Sequence, residues 1–372
     1  MLLLLHGVEG VLWVRRSATV FRRRLRDYHL ASTDGPFGNA THTFLLLSPL
    51  PPLAEMFVVE PWPLVLGEER VWVLSAEGGA AEPPAERTAP EVAQAHSEAK
   101  AVHAKGLLTQ TSSAVLASGL AELLRGWAAL PVAERASFTR SALEARFDRR
   151  ALAARLTLLS QQTRRLAIVG NLFPLILFGG LWAFFFLPGA AERWPVLLAT
   201  LLLVLLFVWA ETFLVHRRLY PKERGDRAMK MFMLVFSFPA AARAQAWLAR
   251  DALADYHPLA VASVLLSGPR LETVARSFWL SLQHPLGTAP EGAAADLSAA
   301  RGHLSEAYRR ILTEVGIDPA ELERPPAPSN ASARSYCPRC LEEYVEPSGP
   351  CPDCQSVERR SFGAGAGASG GS

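Results

Sequence analysis

The sequence predicts a mainly α-helical membrane protein. Three observations lead to this prediction. The mean hydropathy of the 372-residue chain is +0.16 although 20% of its residues are charged. Two long apolar runs, residues 166–187 and 196–215, follow each other closely. All four cysteines lie between Cys337 and Cys354, near the C-terminus. A soluble enzyme of this length would normally have a mean hydropathy near or below zero, so the chain favours membrane segments.

Composition excludes several classes of protein. With 38 basic and 35 acidic residues, the net charge of +3 gives no reason to expect bulk binding of nucleic acid. Four cysteines are too few for a disulfide-dense secreted scaffold. The abundance of alanine, and of arginine over lysine, is typical of a GC-rich bacterial genome.

The two apolar runs predict a transmembrane hairpin over residues 166–216. At about 1.5 Å per residue, residues 166–187 and 196–215 can each cross a hydrocarbon core about 30 Å thick. Pro188 and Gly189 break the first helix, and only a tight loop follows. Basic residues flank the outer ends of both runs. The positive-inside rule therefore predicts a multi-pass protein of the cell (inner) membrane with both termini in the cytoplasm.

Two polar residues fall inside the predicted membrane helices. Asn171 and Glu211 lie near the cytoplasmic end of the first and second helix, so an antiparallel hairpin would place them at one level. An intramembrane carboxylate suggests ion or proton handling. The alternative is that Glu211 serves anchoring or packing, reaching the interface or pairing with His216 or Arg217.

The remaining chain divides by composition and periodicity. Short alternating runs separated by turn residues predict a β-rich or α+β module at the N-terminus, whereas amphipathic patterns predict helices on both sides of the hairpin. The start of the chain lacks the basic region of a signal peptide. The predicted units are a cytoplasmic module (1–75), a linker (76–90), an arginine-rich helical juxtamembrane region (91–165), the hairpin (166–216), a helical cytoplasmic region (217–322), a linker (323–334), a metal-binding segment (335–358) and a flexible tail (359–372).

The cysteines form two C-x-x-C pairs, Cys337/Cys340 and Cys351/Cys354. Two such turns can supply four thiolates to one tetrahedral ion. This pattern resembles a rubredoxin-like zinc ribbon over about residues 334–358, and the resemblance implies a structural zinc ion. Many such knuckles carry glycine directly after the second cysteine, where this chain has Leu341 and Gln355. Iron, two disulfides and C-x-x-C redox chemistry are the alternatives.

No residue pattern indicates a catalytic centre, and a four-thiolate site has no open coordination position. The sequence therefore favours a membrane-anchored cytoplasmic adaptor whose zinc ribbon recruits a protein partner. The first alternative is a membrane-tethered enzyme with an active site in residues 1–130 or 230–316. The second is a subunit or regulator of a transporter that uses Glu211. The mixed charges of the ribbon favour a protein partner over nucleic acid, and a homo-oligomer stays open.

Overall fold

A computed structural model describes the chain from residue 114 to 186, 194 to 235, 240 to 285, 294 to 354 and 357 to 362, with Glu192 and six short strands before residue 90. Within these ranges the protein is mainly helical, as the sequence predicts. The helices are α1 (Ala114–Ala129), α2 (Val132–Arg146), α3 (Arg149–Phe186), α4 (Trp194–Leu219), α5 (Arg224–Val235), α6 (Ala240–Leu253), α7 (Pro258–Leu265), α8 (Pro269–Gln283), α9 (Ala294–Glu314) and α10 (Pro319–Leu322).

The described strands form three small antiparallel sheets. The first contains β1 (Thr19–Arg22), β2 (His29–Ala31) and β3 (Met56–Val59) in the order β2-β1-β3. The second contains β4 (Leu64–Leu66), β5 (Val71–Val73) and β6 (Glu86–Arg87) in sequence order. The third, near the C-terminus, contains β7 (Ser335–Tyr336), β8 (Glu343–Tyr344) and β9 (Arg360–Ser361) in the order β8-β7-β9. The first sheet packs on α6 through β3, and β4 packs on α9.

Local sequence explains where several helices begin. Proline is the first residue of α7, α8 and α10, where its missing N–H costs no helical hydrogen bond. His257 caps α7, since its Nδ1 accepts a hydrogen bond from the Leu259 N–H at 3.1 Å. Asp318 caps α10 in the same way by accepting from the Ala320 N–H at 2.9 Å.

The core lies where α3, α6, α7, α8 and α9 meet. Its centre is aromatic. The His257 ring stacks on Phe147 with ring centroids 4.6 Å apart, and its Nε2 lies 3.2 Å from the Tyr308 hydroxyl oxygen. Because Nδ1 of His257 accepts the α7 capping bond, the neutral ring carries its proton on Nε2 and donates it to Tyr308. Both polar ends of a fully buried imidazole are thereby satisfied.

The first half of helix α3 belongs to the core. The helix has 38 residues, about 57 Å at 1.5 Å per residue. Leu152, Leu156 and Leu159 in its first half recur on one face and are buried in the helical core. Among the side chains described in its second half, Ile168 and Trp182 are exposed, and α3 packs along α4.

Among the described residues, one helix is long and apolar enough to cross a membrane, and it is α4. The predicted hairpin of two membrane helices is thus supported for its second helix only. The first apolar run, 166–187, is not an independent helix. It forms the end of α3, whose first half is polar, and most of its side chains lie outside the described residues. Helix length and composition alone are weak evidence for a membrane span, so the multi-pass topology stays a prediction.

The buried imidazole at the centre of the core predicts a pH dependence of stability. Desolvation, and secondarily the charge of Arg146, lowers the pKa of His257 well below its ordinary value of 6.5. The unfolded chain therefore binds a proton below pH 6.5 that the folded chain does not. Stability is full above that pH and falls as the pH drops through it, by up to about 1.4 kcal/mol per pH unit.

The variant His257→Asn tests this dependence, because asparagine can still cap α7 but does not titrate. We expect the melting temperature of the wild-type protein to fall between about pH 7.5 and 5.5, and that of the variant to fall less steeply. Equal slopes for the two proteins would contradict the assignment of this acid sensitivity to His257.

Candidate metal centre

Four cysteine side chains converge in the C-terminal segment. Cys337 and Cys340 follow strand β7, and Cys351 and Cys354 lie on the loop closed by the bridge between Pro350 and Glu358. All four Sγ atoms lie within 4.8 Å of one another. The Sγ atoms of Cys340 and Cys351 are 3.6 Å apart. This cluster could hold a metal ion and is compatible with a zinc ribbon.

The donor set fits a tetrahedral metal ion. Zn–S bonds of about 2.3 Å place neighbouring sulfurs about 3.8 Å apart, close to the separation seen between Cys340 and Cys351. No disulfide joins these two sulfurs, since that bond would need about 2.05 Å. Tetrahedral four-sulfur sites suit both zinc and iron, so geometry alone leaves both metals open.

Electrostatics shows why such a cluster needs a cation. Hydrogen bonds from the neighbouring thiols, that of Cys340 first, lower the pKa of Cys337 to about 2. The pKa of Cys340 is raised, first by its bond to Cys337, and so is that of Cys354. One thiolate is therefore stabilised by its neighbours, whereas a second and third would face its negative charge. A divalent ion offsets this repulsion and holds all four sulfurs as thiolates.

A second group of residues surrounds the sulfurs. The hydroxyl of Tyr344 lies 3.2 Å from Sγ of Cys351 and can donate to its thiolate. The guanidinium of Arg359 stacks over the Tyr344 ring at 4.7 Å and pairs with Glu346 at 3.0 Å. It also donates from Nε to the carbonyl of Gly349 at 3.1 Å. Hydrogen bonds of this kind orient metal ligands and reduce their negative charge.

Gly349 is needed beside this arginine. Its φ of 118° is unfavourable for side chains, and a Cβ there would lie 2.7 Å from Nη2 of Arg359. The positive φ therefore favours glycine at this position of the loop, whereas the flexible end of Arg359 could shift to admit a Cβ.

Leu341 occupies a backbone conformation that usually requires glycine. Its φ is 63°, in the left-handed region, at the position where the zinc-ribbon resemblance leads one to expect glycine. The left-handed conformation costs a leucine about 1–2 kcal/mol. The Leu341 side chain packs against the helical core, which offsets this cost. The departure from the usual knuckle sequence thus has a structural role, because it anchors the ribbon.

Arg339 is the second anchor. It lies between the cysteines of the first knuckle, and only 1% of its surface is exposed. Its Nη1 donates to the carbonyl oxygen of His284, the residue that caps the C-terminus of α8. A cation is favourable there, because the helix dipole places partial negative charge at this end. The four cysteines add further negative potential at Arg339. The ribbon is therefore docked on α8 by its own metal-binding turn.

Of the two predicted intramembrane polar residues, the structure describes the side chain of Glu211 but not that of Asn171. Asn171 lies on α3, and its side chain is outside the described residues. Glu211 lies on α4 and pairs with Arg165 of α3, with 3.3 Å between Oε1 and Nη1. The sequence suggested His216 or Arg217 as its partner. Arg165 reaches it because α3 and α4 run antiparallel at this level.

Sequence reasoning missed a buried ionic cluster, formed by His216, Asp226, Lys230 and Asp251. The imidazole Nε2 of His216 lies 3.2 Å from Asp226, and His216, Asp226 and Asp251 are close enough to share an ion. The ammonium group of Lys230 already provides the cation between these carboxylates, since its Nζ lies 2.5 Å from Asp226 and also contacts Asp251. The detectable signal was the i, i+4 spacing of the opposite charges Asp226 and Lys230 on one helix.

The same pairing controls the charge of Asp226. Burial raises the pKa of this carboxyl, but the bonds and charges of His216 and Lys230 outweigh it, and the net shift is downward. Asp226 therefore remains a carboxylate inside the protein. We interpret the cluster as an internal salt bridge rather than as a metal site.

We expect the purified protein to contain one metal ion per chain. Cys351→Ser should abolish binding, because it removes one of the four thiolate ligands together with its negative charge. Ser348→Ala, in the exposed loop nearby, is the matched control and should keep the metal. Elemental analysis of both variants measures this and distinguishes zinc from iron. Equal metal content in the cysteine variant would contradict the assignment.

We further expect Arg339→Met to release the ribbon without emptying it. A hydrogen bond from a charged donor to a buried carbonyl contributes about 1.5–3 kcal/mol, so release should be at least about tenfold more frequent. Hydrogen exchange of the amides at the C-terminal end of α8, which the ribbon contacts through Arg339, reports on release. Leu341→Gly, which removes the packing but relieves the backbone, should act in the same direction. Loss of metal in both variants would show that these residues serve ribbon folding instead.

Comparison of the chain with family models, with curated proteins and with solved structures found no match. What the protein does therefore has to be inferred from its own side chains and their arrangement.

Proposed function

We propose that the chain is a membrane-anchored cytoplasmic adaptor, whose zinc ribbon binds a protein partner and which has no catalytic centre. In this proposal it is a multi-pass protein of the cell membrane with α4 and the end of α3 as spans and both termini in the cytoplasm. The observation that carries the proposal is the exposure of α4.

Helix α4 has the composition of a core helix but not its burial. Only 12% of its most apolar 18-residue window is buried. Its exposed side chains include Leu202, Leu203, Leu206 and Phe207. Leaving such a continuous apolar surface in water is unfavourable, and lipid removes that cost. Trp194 and Trp209, also exposed, are residues favoured at the two membrane interfaces.

The arrangement of α3 beside α4 supports the second span and the orientation. Gln162 of α3 accepts from Arg218 of α4 at 3.4 Å, and Arg165 pairs with Glu211. The basic ends of the two helices are thus adjacent. If α4 spans the bilayer, its neighbour enters at the same side, and that side carries the positive charge expected for the cytoplasm.

The exposed surface of the ribbon supports a protein partner. Arg339 is turned inward and Arg359 is engaged with Glu346. The exposed charged residues are the acids Glu342, Glu346, Asp353 and Glu358, of which Glu346 pairs with Arg359, and the bases Arg334 and Arg360. Val345 is exposed among them. This mixed surface with a small acidic excess favours a protein partner with a small apolar contact over nucleic acid.

The alternatives have less support. The Glu211–Arg165 ion pair favours a packing role for Glu211 over transport, because the carboxylate already has a cationic partner. A closed four-thiolate site offers no coordination position to a substrate, so it does not support an enzyme. An active site in residues 1–130 or 230–316 remains the alternative hypothesis. Homo-oligomerisation through the hairpin is compatible with both.

Labelling with a membrane-impermeant maleimide tests the topology. We expect Glu192→Cys, between the two proposed spans, to react in intact cells. Glu306→Cys, exposed on α9, is the matched control and should react only after permeabilisation. Wild-type protein measures any background from the ribbon cysteines. Equal reactivity of both variants in intact cells would disprove the proposed orientation.

Affinity purification from membranes tests the adaptor role. A partner that binds the ribbon should be lost on Val345→Asp, which leaves the metal ligands intact, and on the double change Cys337→Ser and Cys340→Ser. It should remain bound to Glu306→Ala, a surface change far from the ribbon. A partner retained by all variants would refute recruitment through the ribbon.

A further inference from the structure

Helix α5 buries two charged side chains and exposes two large apolar ones, although it also buries Met231 and Leu234 and exposes Arg224 at its first position. Its charged residues Arg227 and Lys230 point inward and are buried. Its large apolar residues Met229 and Phe232 point outward, with 62% and 60% of their surfaces exposed. Long charged side chains are rarely buried and large apolar ones rarely exposed in this way in water.

The inward charges are fully engaged. Lys230 contacts Asp226 on its own helix and Asp251 on α6. Arg227 donates from Nη1 to the Tyr220 carbonyl at 3.3 Å, and its guanidinium lies 5.5 Å from the Phe213 ring centroid. Ionisable groups that pair inside the protein while apolar residues face outward are characteristic of membrane-embedded helices.

The outward face of α5 continues the exposed face of α4. The two helices are antiparallel and adjacent, because His216 meets Asp226 and the Trp209 indole N–H donates to the Met231 carbonyl at 3.2 Å. Leu206 and Leu214 of α4, in the stretch of α4 that lies beside α5, are also exposed. The exposed apolar residues of α5 therefore lie beside those of α4, beyond the exposed basic residues Arg217, Arg218 and Arg224 at the start of this helix pair.

We propose that the outward face of α5 lies in the lipid bilayer, with Met229 and Phe232 in contact with acyl chains. The inference rests on the proposed membrane anchoring through α4 and adds a second lipid-binding element to it. With 12 residues α5 is too short to cross the bilayer. It instead enters the interfacial region from the cytoplasmic side, running alongside α4.

The neighbours of α5 set its depth. The exposed basic residues Arg217 and Arg218 of α4, together with Arg165 of α3 opposite Glu211, mark the headgroup region. From there α5 runs back along α4 towards Trp209. Phe232 lies three residues further along α5 than Met229, a rise of about 4–5 Å. Phe232 is therefore the deeper of the two residues.

Fluorescence quenching in proteoliposomes tests the proposal on the full-length, metal-loaded protein. An environment-sensitive maleimide is attached to Met229→Cys, Phe232→Cys, Leu203→Cys or Glu306→Cys, with wild-type protein as the measure of ribbon labelling. Doxyl-labelled phospholipids quench probes in the hydrocarbon, and iodide quenches probes in water. Leu203 represents the proposed span, and Glu306 represents the aqueous domain.

We expect doxyl lipids to quench both α5 probes, with Phe232→Cys responding to deeper labels, and iodide to quench them at least about threefold less than Glu306→Cys. Iodide quenching equal to that of Glu306→Cys would overturn the proposal. Protection from both quenchers would also overturn it, because a protein surface would then cover α5. If lipid quenches the probe at Leu203→Cys but neither probe on α5, the proposed span α4 is supported and the proposal for α5 fails. If Leu203→Cys is quenched by iodide, the anchor itself fails.

Discussion

The salt bridge of Lys230 is the interaction on which the arrangement of helices depends most. Its ammonium group joins Asp226 on α5 to Asp251 on α6, and Asp226 in turn holds His216 on α4. Three helices are thus tied at one buried point. Removing one partner would leave a buried charge unpaired, at a cost of about 3–5 kcal/mol. The pairing is also what allows α5 to bury its charges and turn its apolar side chains outward.

The ribbon obeys a related constraint. Four thiolates would need a cation, and a site loaded with one divalent ion would still carry negative charge. Arg339 would meet that charge, and it satisfies a carbonyl at the C-terminus of α8. Leu341 adopts a strained left-handed backbone conformation, and its side chain packs against the helical core. Both residues connect the chemistry of the metal site to its position on the protein.

The sequence predicted what depends on composition and spacing, and missed what depends on distant contacts. Helical content, the apolar helix over 196–215 and the convergence of Cys337, Cys340, Cys351 and Cys354 follow from local patterns. The partner of Glu211 could not be derived, because it lies on another helix. Lys230 is one of the basic residues that follow the second apolar run, and its burial could not be predicted because it depends on Asp226 and on the distant Asp251. Leu341 was noted only as a departure from glycine, because the core that it contacts is distant in sequence.

On the proposed topology, the position of the ribbon relative to the membrane is largely determined. The first half of α3 packs with α6 and α7, and α7 packs with α8, on which Arg339 docks the ribbon. The segment leading to it is held as well, since Ser329 donates from its backbone and hydroxyl groups to Glu343. A continuous series of packed elements therefore connects α3 to the four cysteines. If the chain is the membrane-anchored adaptor that we propose, this packing would hold its partner near the bilayer rather than on a flexible arm.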